Sequence, residues 1–256
     1  MDIADDLFEQ AKAGRKAAVV RVIAAQVPEA FAIVALLTGE YAAARSAINT
    51  LVRGATRAMS GWADPAAPQR WFRHHAVLTA REHRRSAVDD PAIFTPAESA
   101  RPPELPAFIK AIRSLDAQQQ EAFLLHYGLL LGPRAIGIAM DCSTTAAGNH
   151  LSAAERAIKP LVGPAYDQLI NLLRDCTAQL MVVENAEGFV EKRYRMRRRR
   201  KTYEKLLGLL VAIVVIGTIA WLAWPHRETI QQKVHDTLDT IENIAYPSGT
   251  QPTTAE

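Results

Sequence analysis

Eight basic side chains interleave with two adjacent aromatic rings over a short stretch: Arg70, Arg73, His74, His75, Arg81, His83, Arg84 and Arg85, with Trp71 and Phe72. Cations meet phosphates and planar rings stack on unpaired bases, so this mix suits single-stranded or unstacking DNA. The same pattern equally describes an amphipathic surface helix with a solvated basic face, in which Trp71 and Phe72 plug the core. A second set is Thr144, Thr145, Asn149, His150 and Arg156. Its hydroxyls, amide, imidazole and guanidinium can reach base edges and phosphates. Bond-making chemistry has no comparable set. The sequence holds no glycine-rich phosphate loop, no metal-ligand cluster and no nucleophile beside a base. The adjacent His74 and His75 would point about 100° apart on a helix, which makes them poor joint ligands. No enzyme activity and no cofactor are expected.

The elements that must position these residues are all helical. Val19, Val22, Ile23 and Val27 have helical spacing, as do Ile33, Val34 and Leu37, and Ile48, Leu51, Val52 and Ala55. Gly14, Pro28, Gly39 and Gly61 punctuate them, a loop is expected over 64–69, and Trp71 to Arg85 forms one more helix. Five prolines between 86 and 106 predict an extended linker. A second helical unit starts near Ala107, with a cap at Asp116 ahead of Glu121, Phe123, Leu124 and Tyr127. Residues 132–158 have the outline of a helix-turn-helix. Ile136, Ala139 and Met140 make its first apolar face, Asp141–Cys142 the turn, and Ser143 the cap of a helix to Ile158. Ala147, Leu151, Ala154 and Ile158 should face the core of that helix. Pro164 to Leu180 predicts a further amphipathic helix. Cys142 and Cys176, without a CxxC spacing, suit small buried positions in a reducing cytoplasm.

Nineteen residues without a charge, Leu206 to Trp224, follow a cluster of nine cations between Lys192 and Lys205. As a helix they would reach roughly 28 Å, close to the ~30 Å hydrocarbon thickness of a bilayer. Only Arg227 and Lys233 follow them, so the cation asymmetry predicts a single span with the N-terminal side in the cytoplasm. The chain's net charge of +3 conceals a division: residues 192–205 carry +8, residues 206–256 carry −3, and residues 1–191 carry −2. The basic strip reads as a topogenic, anionic-lipid-binding segment, with a nucleic-acid arm as the alternative. Beyond the span, Ile230, Val234, Leu238 and Ile241 give the tail an amphipathic character that suits an external partner.

Over residues 4–163 the chain resembles the bacterial RNA polymerase sigma factors of the small, two-domain extracytoplasmic-function group. Leu115 to Tyr127 is similar to the helix that opens the second sigma domain. Gly132 to Ile158 follows the family's helix-turn-helix without a gap, with Arg134, Ile136, Ala139, Ser143, Leu151, Ser152, Arg156 and Ala157 of the usual type. In the first half, Leu37–Thr38–Gly39 resembles the turn before the polymerase-binding helix. Trp71–Phe72, Ala76, Ala80, Glu82, His83 and Arg85 resemble the helix that engages the melted upstream promoter element. Two helices depart from the pattern. Arg45, Ser46, Asn49 and Thr50 stand where acidic residues and a glutamine open the polymerase-binding helix. Gly148, His150, Ala153 and Glu155 stand where the recognition helix normally carries cations.

The expected fold is all-α. The resemblance implies a region-two-like domain (1–85), a linker (86–106) and a region-four-like domain (107–163), and the charge and apolar pattern adds a helical stalk and basic strip (164–205), a transmembrane helix (206–224) and an outside tail (225–256). The resemblance implies core RNA polymerase and promoter DNA as partners, and with the span it implies a place in the bacterial inner membrane. Polymerase contact would fall on Arg45, Ile48, Asn49 and Val52. DNA contact would fall on Arg70, Trp71, Arg73, His74, His75, Arg81, Arg84 and Arg85, and on Thr144, Thr145, Asn149, His150 and Arg156. The alternative is a degenerate sigma-like module that binds a protein partner at the membrane without DNA, favoured by the loss of cations from the recognition helix. The topology is directly testable. A reporter active only outside the cytoplasm should work when fused after Glu256 and fail after Gly163, and the reverse pattern would refute the orientation.

Overall fold

The computed structural model describes residues 4–83 and 102–223, and every regular element among them is helical. By internal contacts the chain divides at Met196 into a helical body, 1–196, and a second unit, 197–256. The body holds α1 (Asp5–Lys12), α2 (Lys16–Ala24), α3 (Val27–Thr38), α4 (Tyr41–Ala58), α5 (Ala67–His83), α6 (Leu105–Arg113), α7 (Ala117–Leu129), α8 (Pro133–Met140), α9 (Thr144–Val162) and α10 (Tyr166–Leu180). A long helix, α11 (Ala186–Ala223), starts in the body, where Val190 is fully buried, and continues into the second unit.

The body is organised around α3. Its sequence is apolar on every side, and a helix of that kind has to be enclosed on every side. Helices α4, α5, α7 and α10 supply the enclosure, and Ala32, Ile33, Val34 and Ala35 are completely inaccessible. This explains why Lys16–Thr38 is long and apolar enough to cross a membrane by length and composition, while 72% of that window is buried within the fold. The enclosing helices come from both sides of the 86–106 segment. The two halves therefore share one hydrophobic core, with α5 against α8 and α3 against α7 and α10.

Spacing finds the inward faces accurately. Ile48, Leu51, Val52 and Ala55 of α4 are all buried, as are Ala147, Leu151, Ala154 and Ile158 of α9. Element ends differ where proline is involved. The loop expected over 64–69 is shorter, because α5 begins at Ala67 with Pro68 in its first turn, where a missing N–H forfeits no hydrogen bond. Helix α6 likewise starts at Leu105 with Pro106 in its first turn, so the last residues assigned to the linker are helical. Helix α9 runs past Ile158 to Val162, carrying Pro160 in its last turns, because Val162 still packs into the core. The rest of that linker, 86–101, lies outside the described residues, as do Arg84, Arg85, Trp224 and the tail.

A buried ion pair crosses this core. Glu121 of α7 is 1% exposed, and Arg81 of α5 donates to both of its carboxylate oxygens, at 3.0 and 2.7 Å. The same guanidinium donates to the Met140 carbonyl at 3.2 Å, at the end of α8. That bidentate bond is the main reason the Arg81 guanidinium is held above its ordinary range. Breaking a buried pair from one side is costly, because the remaining charge keeps its desolvation penalty. Arg81 is about one-third exposed, so Arg81→Met should destabilise the body by about 2–3 kcal/mol, less than the ~3–5 kcal/mol typical of a fully buried pair. The double variant Arg81→Met/Glu121→Met should recover most of that loss in urea unfolding. Equal midpoints for the single variant and wild type would show that the pair contributes nothing.

Candidate nucleic-acid interface

Helix α5 buries Pro68, Phe72, Ala76, Val77 and Ala80, which leaves its basic residues on the flanks and outer side. The flanks are occupied. Arg73 donates to Glu29 of α3 at 2.6 Å, with both side chains mostly buried, and Gln69 donates to the second oxygen of Glu29 at 3.1 Å. Arg70 donates to Asp64 at 2.6 Å across the turn that starts the helix, and that hydrogen bond holds the Asp64 carboxyl below its ordinary range. Arg81 is committed to Glu121 and the Met140 carbonyl. The three described arginines assigned to DNA on α5 thus each carry a carboxylate partner within the body.

The aromatic part is different. The His75 ring stacks on Trp71, centroids 4.0 Å apart and planes 20° apart, and His74 meets His75 edge-on. His75 Nδ1 lies 2.9 Å from the Trp71 carbonyl, which can only accept, so Nδ1 carries the proton. Trp71 also meets Phe72 edge-on and leans against Trp62. The indole edge rests on α4 at Gly54, where a Cβ would come within 2.9 Å of the ring. Trp71, His74 and His75 all remain partly exposed.

The helix-turn-helix is built by α8, a tight turn and α9. Asp141 takes the left-handed conformation, φ 60°, which its short polar side chain tolerates. A Cβ at Gly137 would lie 2.8 Å from the Cys142 carbonyl, so the closeness of this turn requires glycine there. Ser143 Oγ then accepts from the Ala146 N–H at 3.1 Å and caps α9. With Ala147, Leu151, Ala154 and Ile158 inside, Thr145, Asn149, Ser152 and Arg156 recur at i, i+4, i+7 and i+11 as one exposed stripe. Thr144 is exposed in the first turn and His150 is half-buried beside the stripe.

Glu155, at a position where the pattern this sequence resembles carries a cation, turns away from this stripe. It accepts a short hydrogen bond from the Tyr127 hydroxyl of α7 and lies 3.8 Å from Lys159. Lys159 in turn sits over the Tyr166 ring. Burial, and next the bond to Glu155, raise the Tyr127 phenol above its ordinary range. The acid is therefore a tie between α7 and α9. Sequence spacing could not reveal that tie, because Tyr127 and Glu155 are 28 positions apart.

The residues assigned to polymerase divide. Ile48 and Val52 are 4% and 0% exposed and belong to the core, so they offer no surface to a partner. Their apolar spacing with Leu51 and Ala55 is the signal for that placement. Arg45 is exposed, and Asn49, half-buried, donates to the Arg45 carbonyl at 3.0 Å. Both line a cavity of about 520 Å³ closed by Phe31, Tyr41, Val183 and Phe189.

The stacked ring gives a measurable pH dependence. Burial disfavours the charged form of His75, and the neighbouring His74 adds to this, so its pKa falls below the usual 6.5. The folded chain then binds fewer protons at this site than the unfolded chain. Its contribution to stability is present above the unfolded value and is lost as pH falls through the folded one. His75→Phe keeps the stack and removes the titration. Its melting temperature should fall less than that of wild type between about pH 7.5 and about pH 5.5, the window around the ordinary histidine pKa. Parallel decreases would exclude His75 as a source of acid sensitivity. Comparison with protein-family models, with curated proteins and with solved structures finds no match to this chain.

Proposed function

We propose that this chain is a membrane-tethered, sigma-factor-like regulator of transcription initiation that engages core RNA polymerase and promoter DNA. The observation that carries the reading is the outward stripe of α9. Behind a tight, serine-capped turn, Thr145, Asn149, Ser152 and Arg156 stand exposed on one face while the opposite face fills the core. Asparagine can pair with adenine in a major groove, the hydroxyls add further contacts, and the guanidinium holds phosphate. The membrane part is supported by α11. Leu210, Val211, Ile213, Val214, Val215 and Ile216 are each at least 50% exposed, so apolar side chains lie all round this part of the helix. A helix apolar on all sides needs either a protein core or a bilayer around it. The nine cations before it support a cytoplasmic side for the body, and the tail after it would meet an external partner.

A second reading, a protein-interaction module at the inner membrane without DNA binding, is favoured by one observation. Arg70, Arg73 and Arg81 are all spent on carboxylates of the body.

The two readings separate in one experiment. The full chain in detergent should co-purify with core RNA polymerase and support transcription from a specific promoter in vitro. Asn149→Ala with His150→Ala should lower sequence-specific binding by about 1–3 kcal/mol, the value of one base contact. Arg156→Ala should weaken all sequences alike. Polymerase binding without any promoter-dependent transcript would favour the interaction module.

A further inference from the structure

The chain turns sharply between α10 and α11. Asn185 takes the left-handed conformation, φ 55°, and its Oδ1 accepts from the Gly188 N–H at 3.0 Å at the start of α11. A Cβ at Gly188 would collide with that oxygen, so the cap depends on glycine there. Two anchors hold the start of α11 on the body. Val190 is fully buried, and Glu191 accepts from Lys16 of α2 at 2.6 Å. Phe189, just before them, closes the cavity of about 520 Å³ that α3 and α4 leave open, a volume within the roughly 300–1,000 Å³ of small-molecule sites.

The lining of this cavity is graded. Its most buried members, Val27, Ile48 and Leu180, are apolar and 1%, 4% and 3% exposed. Its exposed members include one cation, Arg45 of α4, and one anion, Glu184 of the turn. Among the described residues neither of the two stands in an ion pair. Asn49, on the same wall, gives its Nδ2 to the Arg45 carbonyl, and its buried Oδ1 accepts no hydrogen bond. A buried acceptor short of a donor is costly to keep.

We infer that this cavity binds a small zwitterion with an apolar body: an apolar α-amino acid, or a short peptide of such residues. The ligand carboxylate meets the Arg45 guanidinium, whose forked donors match it. The ammonium meets Glu184 and supplies a donor to Asn49 Oδ1. The apolar side chain lies among Phe31, Leu180 and Phe189. A plain anion would satisfy Arg45 but face Glu184, and a plain cation would do the reverse, so the pair of charges selects against both. The site goes beyond the transcription reading and does not depend on it. Half of its lining comes from residues 179–189, outside the span 4–163 that resembles the sigma factors.

The test uses the full chain in lipid nanodiscs, where no detergent monomer competes for an apolar cavity. Calorimetric titration first compares L-leucine with leucyl-leucine, and the tighter of the two tells a free amino acid from a peptide. Its N-acetylated form lacks the ammonium and its C-terminal amide lacks the carboxylate. Each blocked form should bind about tenfold more weakly or worse, the cost of one lost charge-assisted hydrogen bond. Arg45→Gln should weaken the free ligand by a similar factor and leave the affinity of the amide unchanged. Glu184→Gln should weaken the free ligand and leave that of the acetylated form unchanged. Both side chains are exposed, so an unaltered melting temperature separates lost binding from lost fold. No saturable binding of either ligand up to about 10 mM, past the millimolar end of specific affinity, overturns the inference. Binding that survives both variants also overturns it, by putting the ligand elsewhere. So does a blocked form that binds as tightly as the free ligand, which makes the cavity a plain apolar pocket.

Discussion

A carboxylate with 1% of its surface exposed cannot be left without a cation, and Glu121 fixes much of the body for that reason. The cation comes from Arg81, 40 positions earlier and on the far side of the proline-rich segment. Its guanidinium is planar and forked, so satisfying both carboxylate oxygens sets the angle as well as the distance between α5 and α7. The remaining donor reaches the Met140 carbonyl, where α8 ends and the turn into α9 begins. One side chain from the first half of the chain thus fixes the turn that sets the direction of α9. Helix α3 supplies the apolar counterpart of this constraint: it needs partners from both halves, and α7 and α10 provide part of its cover. The two halves are held together by apolar burial and aligned by a charge.

Much of this is legible in the sequence, and the boundary of legibility has a physical cause. Apolar spacing is a local property, and it places the inner faces of α4 and α9 residue by residue. The Ser143 cap is local too, since its acceptor and the Ala146 donor are three residues apart. Ion pairs are different. Arg73 with Glu29 and Arg81 with Glu121 join residues 44 and 40 positions apart, and a cation looks the same in sequence whether solvent or a carboxylate faces it. A dense basic run therefore overstates the positive charge that α5 displays. Ile48 and Val52 show the converse error. Position within a resembling motif points to a partner, while their own spacing with Leu51 and Ala55 points to the core, and the spacing prevails.

The departures from the sigma-factor pattern that the sequence resembles take on physical content in the same way. Glu155 in place of a cation need not repel a phosphate backbone, because the Tyr127 hydroxyl and Lys159 turn it aside. What α9 lacks beside that pattern is attraction, and phosphate attraction is the part of DNA affinity that does not depend on sequence. A stripe of threonine, asparagine, serine and one arginine keeps groups able to read bases while offering little to hold the backbone. Such a helix binds usefully only if something else supplies local concentration. A partner such as polymerase could do so by presenting the promoter, since a second attachment makes binding effectively intramolecular.

Helix α5 faces the matching constraint from the other direction. For Arg73 or Arg81 to meet a phosphate, Glu29 or Glu121 would have to lose its guanidinium inside the body, at the cost of an uncompensated buried charge. A single phosphate contact at the surface returns far less, because the phosphate is screened and hydrated. The exchange is therefore unfavourable while α5, α7 and α8 stay packed. Any nucleic-acid contact on this side of the body would have to use groups already free of that bargain. The partly exposed rings of Trp71 and His75 are free of it, and the Trp71 indole rests on α4 at Gly54. Substituting Gly54 would force the indole edge away from α4. A glycine without left-handed backbone geometry is accounted for here by that contact alone.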